Sequence, residues 1–266
     1  MINTKKFLGA AFRVALVVYV FFGLHLYFNQ RYFLYFPQIG EPQACDEFKN
    51  TGAEKLERGE TTLYYKQNGE TLLVLYHGNG GTACDRKFLA DYFNQLNVSY
   101  LFVEYAGFGD SRTSTKDALQ KNVRDAEEFV KEKSFTKFVI MGESLGTGLA
   151  AYHASMRAPN KMILISPYAS IAEVAASHYL VYPAKQMTKD NYEVDFTGQT
   201  FGGELLVVHG KKDKTIPFKF GEQVFNNAPF AQKKSLFLEN SGHNDIFYDS
   251  RVFDEISALL VPREEI

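Results

Sequence analysis

The chain has 266 residues, of which 45% are hydrophobic and 23% charged, and its formal net charge is −2. This length suffices for one sizeable core, and no Pro-, Gly- or Ser-rich linker divides the sequence. A near-neutral charge without a basic stripe gives little support for nucleic-acid binding. We therefore expect one main domain, comprising residues 31–266.

An apolar segment at the amino terminus predicts a membrane anchor within residues 1–30. Only Arg13 and His25 interrupt the apolar positions from 7 to 28. A helix of this length, at about 1.5 Å per residue, can cross a hydrocarbon core of roughly 30 Å. The residues that follow contain no small-x-small cleavage site, so an anchor is favoured over a cleaved signal peptide.

The basic residues around this segment favour one orientation. Lys5, Lys6 and Arg13 precede or enter it, whereas Arg31 follows it. Because basic residues are retained on the cytoplasmic side, the amino terminus is expected in the cytoplasm. The prediction is a single-pass membrane protein whose main domain lies on the periplasmic, luminal or extracellular side.

The sequence contains two cysteines, Cys45 and Cys84. A disulfide between them is chemically feasible in such an oxidising compartment, but two cysteines alone are weak evidence for one. We therefore expect them to be unpaired.

Apolar runs and helix-like stretches then alternate along the chain. Runs without polar alternation are typical of parallel strands covered on both faces. Residues 61–66 and the Asn68-Gly69 turn predict an antiparallel hairpin that enters the sheet. The remaining predicted strands are near 71–76, 99–104, 137–141, 161–166, 204–209 and 234–238, and the predicted helices near 84–96, 115–133, 145–158, 217–227 and 246–260.

A glycine cluster, Tyr76-His77-Gly78-Asn79-Gly80-Gly81, follows the first predicted parallel strand. It is not a phosphate-binding loop, because no Gly-Lys-Ser/Thr follows. A turn in this position can direct a backbone N–H group at a developing oxyanion. We expect the N–H of Asn79 to have this role.

The segment Gly142-Glu143-Ser144-Leu145-Gly146 lies between a predicted strand and a predicted helix. This pattern is typical of a nucleophile elbow, a sharp turn that needs small residues beside a strained serine. Two glycines around a serine also occur in ordinary turns. The elbow interpretation makes Ser144 the nucleophile and the N–H of Leu145 an oxyanion donor.

Regular alternation stops after Pro167, where apolar and aromatic residues lie in an irregular stretch. We expect residues 168–201 to form a small cap that shapes an apolar substrate pocket. An ordinary helical insertion at the surface is the alternative.

An acid and a histidine must complete a triad with Ser144, in that order along the chain. Asp213 follows a predicted strand and the glycine turn at Gly210, whereas the alternative acid Asp195 has no strand before it. His243 likewise follows a predicted strand and a turn of small residues. The other five histidines are expected to pack or to form loop hydrogen bonds: His25, His77, His153, His178 and His209.

Together these motifs resemble the alpha/beta-hydrolase superfamily, and the chain is similar to membrane-anchored ABHD-type serine hydrolases grouped with serine aminopeptidases. The resemblance covers roughly residues 32–253. It implies an α/β fold with a mixed, mostly parallel eight-stranded sheet flanked by helices, and it assigns Ser144, Asp213 and His243 as the catalytic triad. The segments that carry it are Tyr35-Phe36-Pro37, His77-Gly78-Asn79, Glu104 to Gly109, the elbow, Ser166-Pro167-Tyr168, His209 to Asp213 and Gly242 to Asp245.

These residues predict a serine hydrolase that cleaves a carboxyl ester or a thioester through an acyl-serine intermediate. A serine peptidase of the aminopeptidase type is an alternative, with Glu173, Asp190 and Glu193 as candidates to bind a peptide amino terminus. A depalmitoylating thioesterase is a second alternative, and a non-catalytic scaffold is a less favoured third. No cofactor or metal site is expected, because no His or Cys residues accompany the carboxylates at ligand spacing.

Overall fold

The computed structural model describes residues 4–36, 43–109 and 113–261. Within them, eight strands form one sheet in the order β1-β2-β4-β3-β5-β6-β7-β8. The first two pairings, β1 with β2 and β2 with β4, are antiparallel, and the others are parallel. This confirms the predicted mixed, mostly parallel sheet. The strands are β1 Glu54–Arg58, β2 Thr61–Lys66, β3 Thr71–Tyr76, β4 Ser99–Val103, β5 Lys137–Glu143, β6 Lys161–Ile165, β7 Phe201–Gly210 and β8 Phe230–Leu238.

Helices flank the sheet, and a long one precedes it. Short 3-10 turns lead into two of them, at Ala83–Arg86 and Ile246–Tyr248. The α-helices of the described residues are α1 Thr4–Leu34, α2 Gln43–Phe48, α3 Lys87–Gln95, α4 Lys116–Lys131, α5 Leu145–Met156, α6 Ile171–His178, α7 Ala184–Met187, α8 Phe218–Asn227 and α9 Ser250–Leu260.

The central strands are apolar along their whole length because both faces of the sheet are covered. In β3, Leu72, Val74 and Tyr76 pack into one hydrophobic cluster, while Leu73 and Leu75 pack into the other. Successive side chains of a strand point to opposite faces, so a strand covered twice cannot alternate with polar residues. The carboxyl ends of these parallel strands, where the candidate residues lie, meet at one edge.

The predicted hairpin through Asn68-Gly69 is wrong. Strand β2 pairs with β1 and β4 and is not a neighbour of β3. The turn instead binds the start of β4, since the N–H groups of Asn68 and Gly69 donate to Ser99 Oγ at 2.8 and 3.0 Å. The hairpin that does form joins β1 to β2 through Gly59, whose φ is 60°.

A buried polar network attaches helix α5 to its neighbours. The Tyr76 hydroxyl lies 2.7 Å from His153 Nδ1, and His153 Nε2 lies 2.9 Å from Glu127 Oε2. Arg157 Nε donates to the same carboxylate at 2.9 Å. Burial alone would raise the pKa of Glu127, but these hydrogen bonds outweigh burial and lower its pKa to about 2. The network therefore links β3, α4 and the helix that follows Ser144.

Cys45 and Cys84 form a disulfide, so the expectation of two unpaired cysteines is wrong. Helix α2 packs against the 3-10 turn before α3 and brings the two Cα atoms to 4.9 Å. Both residues are buried, in the hydrophobic cluster that also contains Phe48. This proximity arises between segments that are 39 residues apart, which spacing alone does not reveal.

Replacing both cysteines by alanine should lower the free energy of unfolding by about 4 kcal/mol. Without the cross-link, the unfolded chain has more conformational entropy, and this favours the unfolded state. Denaturant unfolding of the full chain in detergent measures the change. A reducing agent should lower the stability of the wild type and leave the double variant unaffected. Equal stability of reduced and oxidised wild type would contradict the prediction.

Candidate active site

Ser144 occupies a strained turn between β5 and α5. Its φ of 48° and ψ of −116° are unusual for a residue with a side chain. The backbone is held there because the N–H of Ser144 donates to the carbonyl oxygen of Ile165 at 2.9 Å. The conformation places the hydroxyl at the edge of the sheet, beside the first N–H groups of α5.

The glycines on either side have no room for a side chain. A Cβ at Gly142 would lie 2.7 Å from Gly146 O and from Thr147 Cα. A Cβ at Gly146 would overlap the carbonyl oxygens of Tyr76 and His77. Gly142 therefore lies directly against the first turns of α5 and Gly146 against the end of β3, so both positions require glycine. Thr147 fits the turn, since its hydroxyl donates to Ser144 O at 2.7 Å.

His243 reaches the serine from the loop after β8. Its Nε2 lies 2.9 Å from Ser144 Oγ, and its Nδ1 lies 2.7 Å from Asp213 Oδ2. Asp245 shapes this loop, because its Oδ1 accepts from the N–H of Gly242 at 2.6 Å. An imidazole held between a hydroxyl and a carboxylate can take a proton from the first while the second stabilises its charge.

Asp213 follows β7 and is almost fully buried. Its Oδ1 accepts from the N–H groups of Thr215 and Ile216 at 2.8 and 2.7 Å. Burial alone would raise the pKa of Asp213, but hydrogen bonds from His209 and His243 outweigh burial and hold the pKa well below its usual value. The carboxylate therefore stays ionised beside His243.

The alternative acid lies elsewhere. Asp195 is exposed, and its Oδ1 accepts only from the neighbouring Thr197 among the described contacts, from N–H at 2.9 Å and from the hydroxyl. The structure thus brings Asp213, and not Asp195, to His243.

His209 was expected to pack or to form a loop hydrogen bond, and its contact with Asp213 was not predicted. This residue is fully buried, with Nε2 2.9 Å from Ile216 O and 3.3 Å from Asp213 Oδ2. Its ring packs tightly against Gly221. In the sequence, the four-residue spacing of His209 and Asp213 at the end of a strand was the signal that could have indicated this contact.

The other histidines do pack or form hydrogen bonds, as expected. His77 is buried, with Nε2 3.0 Å from Glu104 Oε1 and Nδ1 2.8 Å from Gly78 O. Its ring stacks on Tyr105 with 4.0 Å between centroids. These contacts fix the glycine loop that carries Asn79. His178 Nε2 lies 2.9 Å from Thr215 O, and His25 Nδ1 lies 3.4 Å from Asn29 Nδ2.

The two proposed oxyanion residues border the same cavity as Ser144. Leu145 begins α5, so its N–H has no acceptor within the helix. The side chain of Asn79 contacts the end of α1, because its Nδ2 donates to Leu34 O and its Oδ1 accepts from the N–H of Phe36 at 3.0 Å. The end of α1 is therefore attached to the loop beside the serine. Pro37, which belongs to the resemblance, lies outside the described residues.

Ser144 lies where two cavities meet. The larger, of about 710 Å³, is mainly apolar and is bordered by α6, α7 and the last turns of α1. The second, of about 330 Å³, has a mixed lining: it contains Arg86, Glu143 and Ser166 as well as Phe88 and Phe247. Charged and polar groups therefore lie beside aromatic ones on this side of the serine.

The second cavity contains an ion pair and, among the described residues, a hydroxyl without a partner. Arg86 Nη2 lies 2.7 Å from Glu143 Oε1. Burial alone would raise the pKa of Glu143, but Arg86 outweighs burial and lowers it. Ser166 has a φ of 48°, and its buried Oγ has no hydrogen-bond partner within the described residues. A bound polar group would find a donor and an acceptor at this hydroxyl.

The stretch predicted as a cap contains two short helices, α6 and α7, where sequence reasoning expected irregular structure. Tyr168 anchors its start, because its hydroxyl donates to Leu145 O at 3.0 Å. Sequence reasoning did not place α1 in the site, although Leu26, Tyr27, Phe33 and Leu34 border the apolar cavity. The described residues contain no group of three or more His, Cys, Asp or Glu side chains that could hold a metal ion.

Known proteins resemble this chain in sequence and in fold. Residues 67–194 match the family described as serine aminopeptidase, S33. An uncharacterized protein of Mycobacterium tuberculosis is 27% identical over 87% of this chain and 87% of its own length. The lysophosphatidylserine lipase ABHD12 of Danio rerio is 27% identical over 64% of this chain and 50% of its own length.

A solved esterase of Pyrococcus furiosus superimposes with a TM-score of 0.66 at 9% identity, covering 85% of this chain and 97% of the esterase. This likeness concerns the fold, and the sheet order and flanking helices agree with it. The chain therefore has the alpha/beta-hydrolase fold, and the sequence matches support an ABHD-type alpha/beta hydrolase.

Proposed function

We propose that this protein is a serine hydrolase that cleaves a carboxyl ester or a thioester by two-step acyl transfer. The observation that carries the proposal is the hydrogen-bonded series from Ser144 through His243 to Asp213, with 2.9 and 2.7 Å between successive atoms. In the first step Ser144 Oγ attacks the acyl carbon while His243 takes its proton. His243 then protonates the leaving group, and water cleaves the acyl-serine in the second step.

The oxyanion of each step would rest on the N–H groups of Leu145 and Asn79. Asp213 would hold the imidazole in the tautomer that carries a proton on Nδ1, and would stabilise the imidazolium. His209 would position Asp213 from its other side. Removal of one oxyanion donor usually costs about 100- to 1000-fold in rate.

The two cavities support a substrate with one apolar and one polar part. An acyl chain would fill the apolar cavity, and the leaving group would enter the pocket that contains Arg86, Glu143 and Ser166. A lipid ester with a single acyl chain has this form. Relatives named lysophosphatidylserine lipase and structural neighbours named esterase or lipase agree with this substrate class.

The aminopeptidase alternative has less support, although the matching family has that description. An acidic residue that binds a peptide amino terminus would have to border the cavity at Ser144. Among the described residues, Glu173 pairs with Lys185, Asp190 pairs with Arg31, and Glu193 bonds with Asn191. None of the three borders the apolar cavity.

We also propose that α1 spans a membrane, with its amino terminus in the cytoplasm. Residues Lys5–Leu34 are long and apolar enough to do so, with a mean hydropathy of 2.1 in their most apolar window. Arg13 would extend towards the head groups. The buried disulfide supports an oxidising compartment for the domain, which agrees with the orientation that the basic residues favour.

Hydrolysis of p-nitrophenyl esters of increasing acyl length tests the proposed reaction. The full chain in detergent should hydrolyse them, and Ser144→Ala should lose at least about 1000-fold in rate because the nucleophile is absent. Equal activity of the variant and the wild type would contradict the serine mechanism.

Asparagine in place of the proposed acid should impair catalysis, although the side chain keeps nearly the same size and shape. Asp213→Asn should lower kcat by about 10,000-fold, because the amide favours the wrong imidazole tautomer. Asp195→Asn is the matched control and should keep wild-type kcat. Steady-state kinetics on one ester distinguishes the two, and similar losses in both variants would count against Asp213 as the acid.

A larger side chain in the apolar cavity should change the preferred acyl length. Ala175 borders the cavity from α6, whereas Ala176 on the same helix does not. Ala175→Phe should reduce kcat/KM for long-chain esters and spare acetate and butyrate esters, and Ala176→Phe should preserve the wild-type profile. An unchanged profile in Ala175→Phe would show that the acyl chain does not occupy this cavity.

A further inference from the structure

Helix α1 docks on the cap well before the helix ends. The rings of Tyr19 and Tyr182 stack with 4.6 Å between centroids. The Tyr19 hydroxyl donates to Val181 O at 2.9 Å, and the Tyr182 hydroxyl donates to Tyr19 O at 3.1 Å. One turn later Gly23 is buried, and a Cβ there would lie 3.0 Å from the Tyr182 ring.

Further contacts extend the docking towards the active site. Gln30 Nε2 donates to Met187 O at 3.2 Å, and Gln30 Oε1 accepts from the N–H of Lys189 at 2.6 Å. Arg31 pairs with the buried Asp190 at 3.0 Å. The helix and the cap therefore form one unit from Tyr19 to Arg31.

The part of α1 before this docking is too short to cross a bilayer. The apolar stretch from Phe7 to Val18 contains 12 residues, which rise about 18 Å at 1.5 Å per residue. A hydrocarbon core of roughly 30 Å needs about 20 residues. If α1 spans the membrane, the hydrocarbon must continue to about residue 26, and it must then include the level of Tyr19 and Gly23.

The cap at this level is apolar on the outside. Leu180 is 82% exposed and Val181 is 72% exposed, and Tyr179 beside them is partly exposed. Part of the backbone there has partners within the protein: Val181 O accepts from Tyr19, the N–H of Tyr179 donates to Ala175 O at 2.9 Å, and the N–H of Tyr182 donates to Tyr179 O at 3.0 Å. Such partners lower the cost of placing backbone in hydrocarbon.

Charged groups lie nearer the other end of the docked segment. Lys189 Nζ lies 4.0 Å from the centroid of the Tyr27 ring, and Arg31 and Asp190 follow. Basic and aromatic side chains are typical of the head-group region. The boundary of the hydrocarbon thus falls between Gly23 and Tyr27 along α1.

We propose that residues 179–182 of the cap, here called the cap tip, insert into the hydrocarbon of the membrane leaflet that faces the domain. This inference rests on the proposed spanning role of α1. The apolar cavity is bordered by Leu26, Tyr27 and Tyr182 as well as by Ser144, so it connects the docked part of α1 and the cap tip with the nucleophile. A lipid ester would enter the cavity from this leaflet along α1, without crossing water.

The absence of tryptophan from the sequence allows a direct test. Leu180→Trp places a single reporter on the cap tip, Phe12→Trp places one on α1, and Met156→Trp places one at the far end of α5. Both Phe12 and Met156 are exposed. Each full-length variant is reconstituted in phosphatidylcholine vesicles with and without brominated acyl chains, and tryptophan emission is recorded.

The proposal predicts that brominated chains quench Phe12→Trp and Leu180→Trp, with blue-shifted emission in both, and leave Met156→Trp unquenched. Quenching of Phe12→Trp without quenching of Leu180→Trp would overturn the cap-tip insertion and keep the anchor. Absence of quenching in both would overturn the anchor and the insertion together.

A kinetic comparison separates this inference from the proposed reaction. Leu180→Asp should reduce hydrolysis of a long-chain ester presented in vesicles, and should leave hydrolysis of p-nitrophenyl acetate unchanged. Equal rates of wild type and variant on the vesicle substrate would count against entry from the leaflet. Loss of the acetate activity in the wild type itself would instead contradict the serine hydrolase proposal.

Discussion

The turn at Ser144 is the constraint on which the site depends. A residue with φ of 48° and ψ of −116° remains in that conformation only where its surroundings hold it. Gly142 and Gly146 allow β5, α5 and the end of β3 to approach closely, and the buried network of Tyr76, His153 and Glu127 fixes α5 against β3. The serine hydroxyl therefore has a fixed position before any substrate arrives, which reduces the reorganisation that the reaction requires.

The second constraint is a buried carboxylate. Asp213 lies in the interior, where an unpaired charge would be costly, and it is stabilised by two backbone N–H groups and by histidines on two sides. Because these donors surround the carboxylate, Asp213 has little freedom to rotate away from His243. The backbone of one loop thus orients the imidazole that faces Ser144.

Local pattern predicted much of this arrangement. Ser144, Asp213 and His243 each lie at or just after a turn that contains glycine and follows a strand, and parallel strands end at the same edge of the sheet. The pairing of β2 with β4 and the disulfide of Cys45 and Cys84 depend on packing between distant segments. Those contacts leave no periodic signal in the sequence.

Helix α1 shows the same limit more clearly. Its apolar composition predicted a membrane segment, but composition does not indicate which face of a helix meets the cap. The structure shows that Tyr19 and Gly23 meet Tyr182, and that Leu26 and Tyr27 border the cavity that reaches Ser144. Under the proposed function, the helix that anchors the protein is also a wall of its substrate pocket.

The most direct test of the central claim is the reaction of the full chain in detergent with a fluorophosphonate, followed by mass spectrometry of its peptides. An activated serine attacks the phosphorus, fluoride leaves, and a stable adduct remains. The account predicts one adduct, on Ser144, that forms far more slowly in Asp213→Asn. The absence of an adduct on Ser144, or equal labelling rates in the two proteins, would contradict it.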